Sequence, residues 1–400
     1  MGKKKKKRTR QRKRSKSTPV PIKLSLCMIV RDNEADIEKA LASIAPYVDE
    51  TVIVDTGSTD GTVDICRKFT DKIWIHPWEH DFSLHRNQSL DYATGDWIVY
   101  IDSDEVMDPA SGPKLKGAIE TALGKNPELD AVMLHLLNWT TSGENMGSVN
   151  LIRCFKNSPD IRFHNRVHND LRGFKNVAAA NFTIHHYGYG RSSEDKVHKF
   201  LRTTSLLKKT IEEDPENPVP YHYMSISMHT LSTLDEAGWW AERSIALQDA
   251  GRPCGPQLRG WCFYTAEVSA LDVRDWARFW RLVDRALGEF PDHLDSHALA
   301  TNAAFMQRDW AKCQHHAAEY RRIWEIAKSN PAALELQALN TERQRWKVEF
   351  QAANATLEDG GRVMDIMHGL SLAIAHAPNQ IEAWREVGAM LSKIQVNEAA

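Results

Sequence analysis

The sequence predicts two domains: an α/β domain on a mostly parallel sheet, then an all-α helical-repeat domain. Three observations carry this. Strand, loop and helix alternate three times between Leu24 and Glu105. After residue 190 the pattern turns helical. A chain of 400 residues also exceeds what one typical core encloses. The expected boundaries are a basic tail over 1–20, the α/β domain over 21–192 and the helical domain over 193–400.

Eleven of the 51 Lys and Arg residues fall within residues 1–16, which hold none of the 53 acids. Such a tail cannot bury apolar area and is expected to be disordered. Its charge suits nucleic acid or an anionic membrane, or a plain solubilising extension. Lys6 stands where a myristoylation motif after Met1-Gly2 needs Ser or Thr.

Residues 24–30 form a short apolar run, the first strand. The run follows basic residues as a signal peptide's would, but it is short, adjoins Lys23 and lacks a small-residue cleavage site. A helix follows, with Ile37, Leu41 and Ile44 on one face. Thr51 to Val54 is the second strand, and DTGSTDGT turns from it into a helix that Ser58 or Thr59 can cap. KIWIHPW is the third strand, 83–93 the third helix and 97–101 the fourth strand. This alternation implies helices on both faces of the sheet.

Sheets of this kind bind ligands beyond the carboxyl ends of their strands. Asp32, Asp55 and Asp102 all fall at such ends, and WIVYIDSDE brings Asp104 beside Asp102. Paired carboxylates there suit a divalent cation on a phosphate ester. Alone, Asp55 with Gly57 and Gly61 also fits a plain strand-to-helix turn. There is no Gly-x-Gly-x-x-Gly and no Gly-Lys-Ser/Thr, so neither common nucleotide loop is present.

In the second half, Pro215, Pro253, Pro291, Pro331 and Pro378 punctuate the helical pattern. RDWA occurs at 274–277 and again at 308–311, the spacing of tetratricopeptide repeats. The tryptophans from Trp239 to Trp384 are expected to pack between helices, with an aromatic acceptor groove as the alternative. No apolar run reaches the ~18 residues of a membrane span. Cys27, Cys66, Cys154, Cys254, Cys262 and Cys313 are scattered and form no Cys-x-x-Cys pair. Buried thiols in a reducing, cytoplasmic compartment are expected rather than bridges or zinc. The sequons at Asn87, Asn138, Asn181 and Asn354 are then chance matches.

The segments MIVRDNEADIEKALASI, DETVIVDTGSTDGT, WEHDFSLHRNQSLDYATGDWIVYIDSDE and HHYGY follow in a telling order. Together they resemble family 2 glycosyltransferases with the GT-A fold, a nucleotide-diphospho-sugar transferase sheet. The nearest subgroup joins that domain to tetratricopeptide-like helices. The resemblance implies inverting transfer of a sugar from a nucleotide diphosphate to an acceptor. By this resemblance Asp55 contacts the nucleobase, Arg31 and Asn33 border the nucleotide, and Arg86 lies near the donor. Asp102-Ser103-Asp104 matches the Asp-x-Asp motif, with Asp102 facing ribose or metal and Asp104 holding the metal. His186 falls where a further metal ligand is expected.

The base is less directly matched. RFHNRVHND supplies His164, His168 and Asp170, but related enzymes often read His-Glu where this chain has His168-Asn169. His168 and Asp170 are equal candidates. Elementary chemistry agrees with the other roles: Mn²⁺ or Mg²⁺ neutralises a departing diphosphate, and arginine offers a permanently charged fork to phosphate. Uracil can donate its ring N–H to Asp55, so a UDP-sugar is the leading donor. Protein, glycan and modified nucleic acid, including DNA, all stay open as acceptors. The rival readings are a nucleotidyltransferase on a related sheet and a catalytically inactive helical-repeat scaffold.

Overall fold

The computed structural model describes residues 20–140, 142–187, 193–231, 233–252, 254–330, 341, 344–377 and 380–398. The basic tail therefore lies outside the described residues apart from Val20, as do Gly188 and Tyr189 of HHYGY and Pro253, Pro331 and Pro378. The chain divides into two compact units, Met1–Arg202 and Thr203–Ala400.

The first unit runs β1 (Leu24–Val30), α1 (Ile37–Ile44), β2 (Glu50–Asp55), α2 (Thr62–Cys66), β3 (Ile73–Ile75), α3 (Phe82–Tyr92) and β4 (Trp97–Tyr100). It continues with β5 (Glu105–Met107), α4 (Gly112–Lys125), β6 (Ala131–Trp139), β7 (Asn145–Lys156), β8 (Arg162–His164), β9 (Asp170–Arg172) and β10 (Val177–His186). The alternating apolar pattern of β1 explains its central place. Leu24, Leu26, Met28 and Val30 pack with Ile37 and Leu41 of α1 and Leu115 of α4. Cys27 points to the other face, among Val52, Leu90 of α3 and Phe155. A strand covered on both faces must be apolar throughout, and β1 is nearly so.

The sheet order is β3-β2-β1-β4-β7-β6-β10-β5. The parallel arrangement expected from the sequence holds through β3, β2, β1 and β4. Beyond β4 the sheet is mixed, because β7 runs antiparallel to both β4 and β6. The β6–β7 hairpin leaves Asn145–Leu151 exposed or nearly so, which blurs the alternation that would mark a strand. The short β5 closes the sheet antiparallel to β10, pairing His186 with Glu105. That pairing returns the end of β10 to the Asp102–Asp104 turn.

The helix α5 (Ser193–Glu213) carries the chain across the division between the units. The second unit then consists of α6 (Pro218–Thr230), α7 (Leu234–Asp249), α8 (Pro256–Asp272), α9 (Trp276–Glu289), α10 (Leu294–Met306), α11 (Trp310–Ser329), α12 (Arg345–Glu358), α13 (Val363–His376) and α14 (Ile381–Glu398). The RDWA repeat is a structural repeat. Arg274 and Arg308 adopt φ of 56° and 57°, and the next residues, Asp275 and Asp309, cap α9 and α11. Their N–H groups donate to Ala270 O and Ala304 O at 2.9 Å in both copies. The tryptophans split. Trp346 is buried, whereas Trp239 and Trp384 are 58% and 52% exposed and the others half-buried.

Among the described residues, no helix is long and apolar enough to cross a membrane. The six cysteines are free thiols, five buried and Cys254 half-buried.

Candidate active site

The carboxyl ends of β1, β2 and β4 deliver three loops to one place. The first two are laced together. Asp32, at φ 47°, accepts from Thr59 N at 2.7 Å, and Asp32 N donates to Ser58 Oγ at 3.0 Å. Asn33 N donates to Thr62 Oγ1 at 2.7 Å, and Glu34 accepts from Gly61 N at 3.0 Å. The third loop joins them through Ser103 Oγ, which donates to Asn33 Oδ1 at 2.8 Å. Asn33 also accepts from Arg31 N at 3.3 Å, while the Arg31 side chain stays half exposed near Asp32.

Asp55 is 1% exposed at the end of β2. Its carboxylate accepts from Gly57 N and Ser58 N, both at 3.0 Å, and from the Ser58 hydroxyl. Gly57 makes the wrap possible at φ 100°, a conformation other residues resist. Asp55 is thus the organiser of its own turn. Ser58 N also reaches Asp55 Oδ1 at 3.3 Å, so both carboxylate oxygens are held by this turn.

Asp102 and Asp104 stand in different surroundings. Arg86 of α3 donates through Nη2 to Asp102 Oδ1 at 2.6 Å, and through Nε to Asn169 Oδ1 at 3.1 Å. Arg153 of β7 brings Nη1 to 4.0 Å from Asp102 Oδ2 and pairs through Nη2 with Glu105. Its guanidinium lies 4.6 Å above the Tyr100 ring. Burial works to raise the Asp102 carboxyl, but Arg86 and Arg153 overcome it and hold the group at about 2. Burial raises Glu105 against the pull of Arg153. Arg153 itself is 4% exposed, and its Nε and Nη1 have no hydrogen-bond partner.

Asp104 faces the other way. Its Oδ2 lies 3.5 Å from His186 Nε2, and its carbonyl accepts from Tyr187 N at 3.1 Å. His186 Nδ1 meets Asn138 Oδ1 at 2.9 Å. One carboxylate and one imidazole would supply about two of the roughly six ligands a hard divalent cation takes, leaving the rest to phosphate and water oxygens. No group of three His, Cys, Asp or Glu side chains suited to a metal occurs among the described residues. Both Asp102 oxygens face guanidinium groups, whereas Asp104 faces an imidazole.

The two candidate bases separate. Asp170 opens β9 and pairs with Arg172 Nε at 2.8 Å, and it is exposed, as His168 is. His168 sits two residues earlier at φ 52°, next to the Asn169 that touches Arg86. Surrounding protein and the charge of Lys199 push its imidazole down to about 4. His164, in β8, is opposite Asp170.

Residues 25–124 match the family model described as glycosyl transferase family 2. That stretch is similar to the family 2 glycosyltransferases. A TPR repeat-containing protein of Synechococcus elongatus is 33% identical over 204 residues, covering 48% of this chain and 49% of that protein. The SPbeta prophage-derived glycosyltransferase SunS of Bacillus subtilis is 28% identical over 234 residues, covering 55% of this chain and 52% of that one. The chain thus spans about half the length of these relatives. Among solved structures, S. aureus TarS overlaps with a TM-score of 0.35 at 15% identity, over 65% of this chain and 54% of that one. Glucosyl-3-phosphoglycerate synthase from Mycobacterium tuberculosis, solved with Mn²⁺, UDP and glucosyl-3-phosphoglycerate, overlaps with a TM-score of 0.25 at 26% identity, over 29% and 44%.

Glu105, Asn138, Arg153 and Asn169 were not marked as site residues by the sequence alone. Two left a trace. Arg153 is a lone cation in the apolar run LIRCF, and Glu105 directly follows the Asp-x-Asp motif in a strand. A charge inside a buried strand needs a buried partner. Asn138 and Asn169 left no local signal, since both act through contacts distant in sequence.

Proposed function

We propose that this chain is an inverting, metal-dependent glycosyltransferase that takes a sugar from a nucleotide diphosphate, with UDP as the leading nucleotide. The observation that carries the reading is the pairing of Asp104 with His186, 3.5 Å apart at a strand end, in the same short turn as the arginine-bound Asp102. A bound Mn²⁺ or Mg²⁺ would neutralise charge growing on the diphosphate as it leaves. Asp104 and His186 would hold that cation.

The remaining roles fall to the chain's own side chains. Asp55 would contact the nucleobase from within a turn it has already made rigid. Asn33 and Ser103 fix the floor between the loops, and the exposed Arg31 borders the nucleotide. Arg86 holds Asp102, and Asp102 is the candidate contact for the ribose. In transfer, the acceptor hydroxyl attacks the anomeric carbon as the bond to the diphosphate oxygen breaks. The hydroxyl proton must pass to a base. We assign this to His168, whose low pKa keeps the imidazole neutral and able to accept, rather than to Asp170, which is engaged with Arg172. The acceptor is a protein, glycan or nucleic-acid hydroxyl, and the basic residues 1–16 would bring the enzyme to nucleic acid or anionic membrane.

A thermal-shift panel of nucleotide sugars with and without Mn²⁺ tests donor and metal together. Stabilisation by one UDP-sugar, larger with Mn²⁺, is expected. Turnover should release a nucleoside diphosphate. Pyrophosphate as product would establish the nucleotidyltransferase reading, and failure to bind any nucleotide sugar would favour the inactive scaffold.

A further inference from the structure

The β6–β10 pairing places two neighbouring histidines opposite two neighbouring side chains. His186 is in register with Asn138, and His185 with Leu137. The adjacent Trp139 reaches His185, its indole N–H donating to His185 Nδ1 at 3.0 Å. An indole nitrogen only donates, so His185 must present a bare Nδ1 and carry its proton on Nε2. That Nε2 points to Asp108 Oδ2 at 3.5 Å. His186 is bound at the same ring position by the opposite kind of group. Its Nδ1 lies 2.9 Å from the amide oxygen of Asn138, an acceptor. His186 Nε2 also faces an acceptor, Asp104 Oδ2 at 3.5 Å, but the contact to Asn138 is the shorter and favours a proton on Nδ1 with a lone pair on Nε2.

We infer that Asn138 is a positioning residue that fixes the Nδ1–H tautomer of His186, so that its Nε2 lone pair and the Asp104 carboxylate face the same divalent cation. The inference rests on the cation reading of this site given above. The physical reason is general. A ring nitrogen can ligate only when unprotonated, and the hydrogen bond made by the other nitrogen decides which one that is. Without an acceptor at Nδ1, the proton would move to Nε2 and make a hydrogen bond to Asp104. The ligand pair would then become an internal contact closed to a cation. The register of one strand pair thus sets the chemistry of two histidines in opposite senses.

The test uses the full chain with ¹⁵N-labelled histidine in mildly alkaline buffer. Long-range ¹⁵N–¹H spectra, assigned with His185→Gln and His186→Gln, read each tautomer directly. The expected result is a proton on Nδ1 of His186 and on Nε2 of His185, without any metal present. Asn138→Ala should shift His186 towards the Nε2–H form and leave His185 unchanged. It should also weaken Mn²⁺ binding, followed by the Mn²⁺ spin-resonance signal with UDP present, by ~10–100-fold. Asn138→Asp, which keeps an acceptor at Nδ1, should restore both the tautomer and the affinity. An Nε2–H tautomer for His186 in the wild type, or a tautomer unmoved in a folded Asn138→Ala, would overturn the inference. Unchanged Mn²⁺ affinity in His186→Ala would instead refute the cation reading, and the tautomer spectrum separates the two failures.

Discussion

Arg86 Nη2 and Asp102 Oδ1 lie 2.6 Å apart, joining α3 to the loop after β4 across 16 residues of sequence. The same guanidinium reaches Asn169 through Nε, so it spans two loops with two separate donors. Arginine's rigid planar fork presents these two donors from separate nitrogens, whereas lysine's donors all sit on one nitrogen. Arg86→Lys should therefore lower donor affinity by ~1.5–3 kcal/mol, the range of a hydrogen bond to a charged group. Calorimetric titration with UDP and Mn²⁺ measures it. Wild-type affinity in a folded Arg86→Lys protein would remove the bridge from donor binding.

Acid should reveal the same pair. Against an ordinary value of 3.8, Asp102 is held at about 2 in the folded chain. A depressed carboxylate stabilises the fold above its unfolded pKa and loses that contribution as pH falls through the folded value. The window is therefore about pH 4 down to about pH 2. Arg86→Met should unfold at a higher pH than wild type in acid titrations followed by circular dichroism. Coincident acid transitions would show that Arg86 does not stabilise the charged form.

Asp104 is the sharpest test of the proposed activity. Asp104→Ala should retain the melting profile of the apoprotein, lose the extra stabilisation that Mn²⁺ gives with UDP, and abolish transfer. Chelator should do the same to the wild type. Full transfer by Asp104→Ala, or by wild type in excess chelator, would exclude a metal-dependent reaction.

Much of this was legible in the sequence, for physical reasons that vary along the chain. The parallel strands β1, β2 and β4 announced themselves because strands covered on both faces must be apolar runs, and β1 matches Leu24–Val30 residue for residue. The strand ends followed, and with them Asp55 and the Asp102–Asp104 pair. The antiparallel half did not, because β7 is largely exposed and its pattern is weak. The partnerships within the site were also hidden. Nothing near Asp102 announces Arg153 or Asn169, which arrive by sheet order and by the loop before β9. Asp102 and Asp104 share one motif, yet their surroundings differ in ways the motif does not announce: guanidinium groups for one, an imidazole for the other. In the helical unit the RDWA spacing was a true repeat, because each copy builds the same left-handed arginine and aspartate cap.

That unit carries its own pH sensor of stability. Glu267 of α8 is fully buried, accepts from Ser296 Oγ at 2.7 Å, and burial raises it from 4.5 to about 8. A carboxyl whose folded pKa is raised takes up a proton on folding, so stability falls as pH rises from the unfolded towards the folded value. Glu267→Gln keeps the shape and removes the ionisation. It should melt above wild type at pH 8, by on the order of a few kcal/mol, and converge with it near pH 5. Equal melting temperatures at pH 8 would show that Glu267 is charged at little cost.

The choice of base separates His168 from Asp170 by both position and charge. Asp170 is exposed and paired with Arg172, so its removal breaks a surface ion pair worth ~0–1 kcal/mol. His168 adjoins the Asn169–Arg86 contact, and its imidazole, pushed down to about 4, is neutral at physiological pH. If His168 takes the acceptor proton, His168→Ala should cut kcat by ~10²–10⁴ with little change in donor affinity, and Asp170→Ala should leave kcat nearly intact. The pH profile adds a second reading. A base works when unprotonated, so kcat/KM should rise with pH through about 4 and be flat by pH 6. An ordinary histidine would place that limb near 6.5. His168→Ala should remove the limb as well as the rate. The opposite ranking, with Asp170→Ala inactive and His168→Ala active, would return the role to the carboxylate and imply that β9 turns Asp170 inward when acceptor binds.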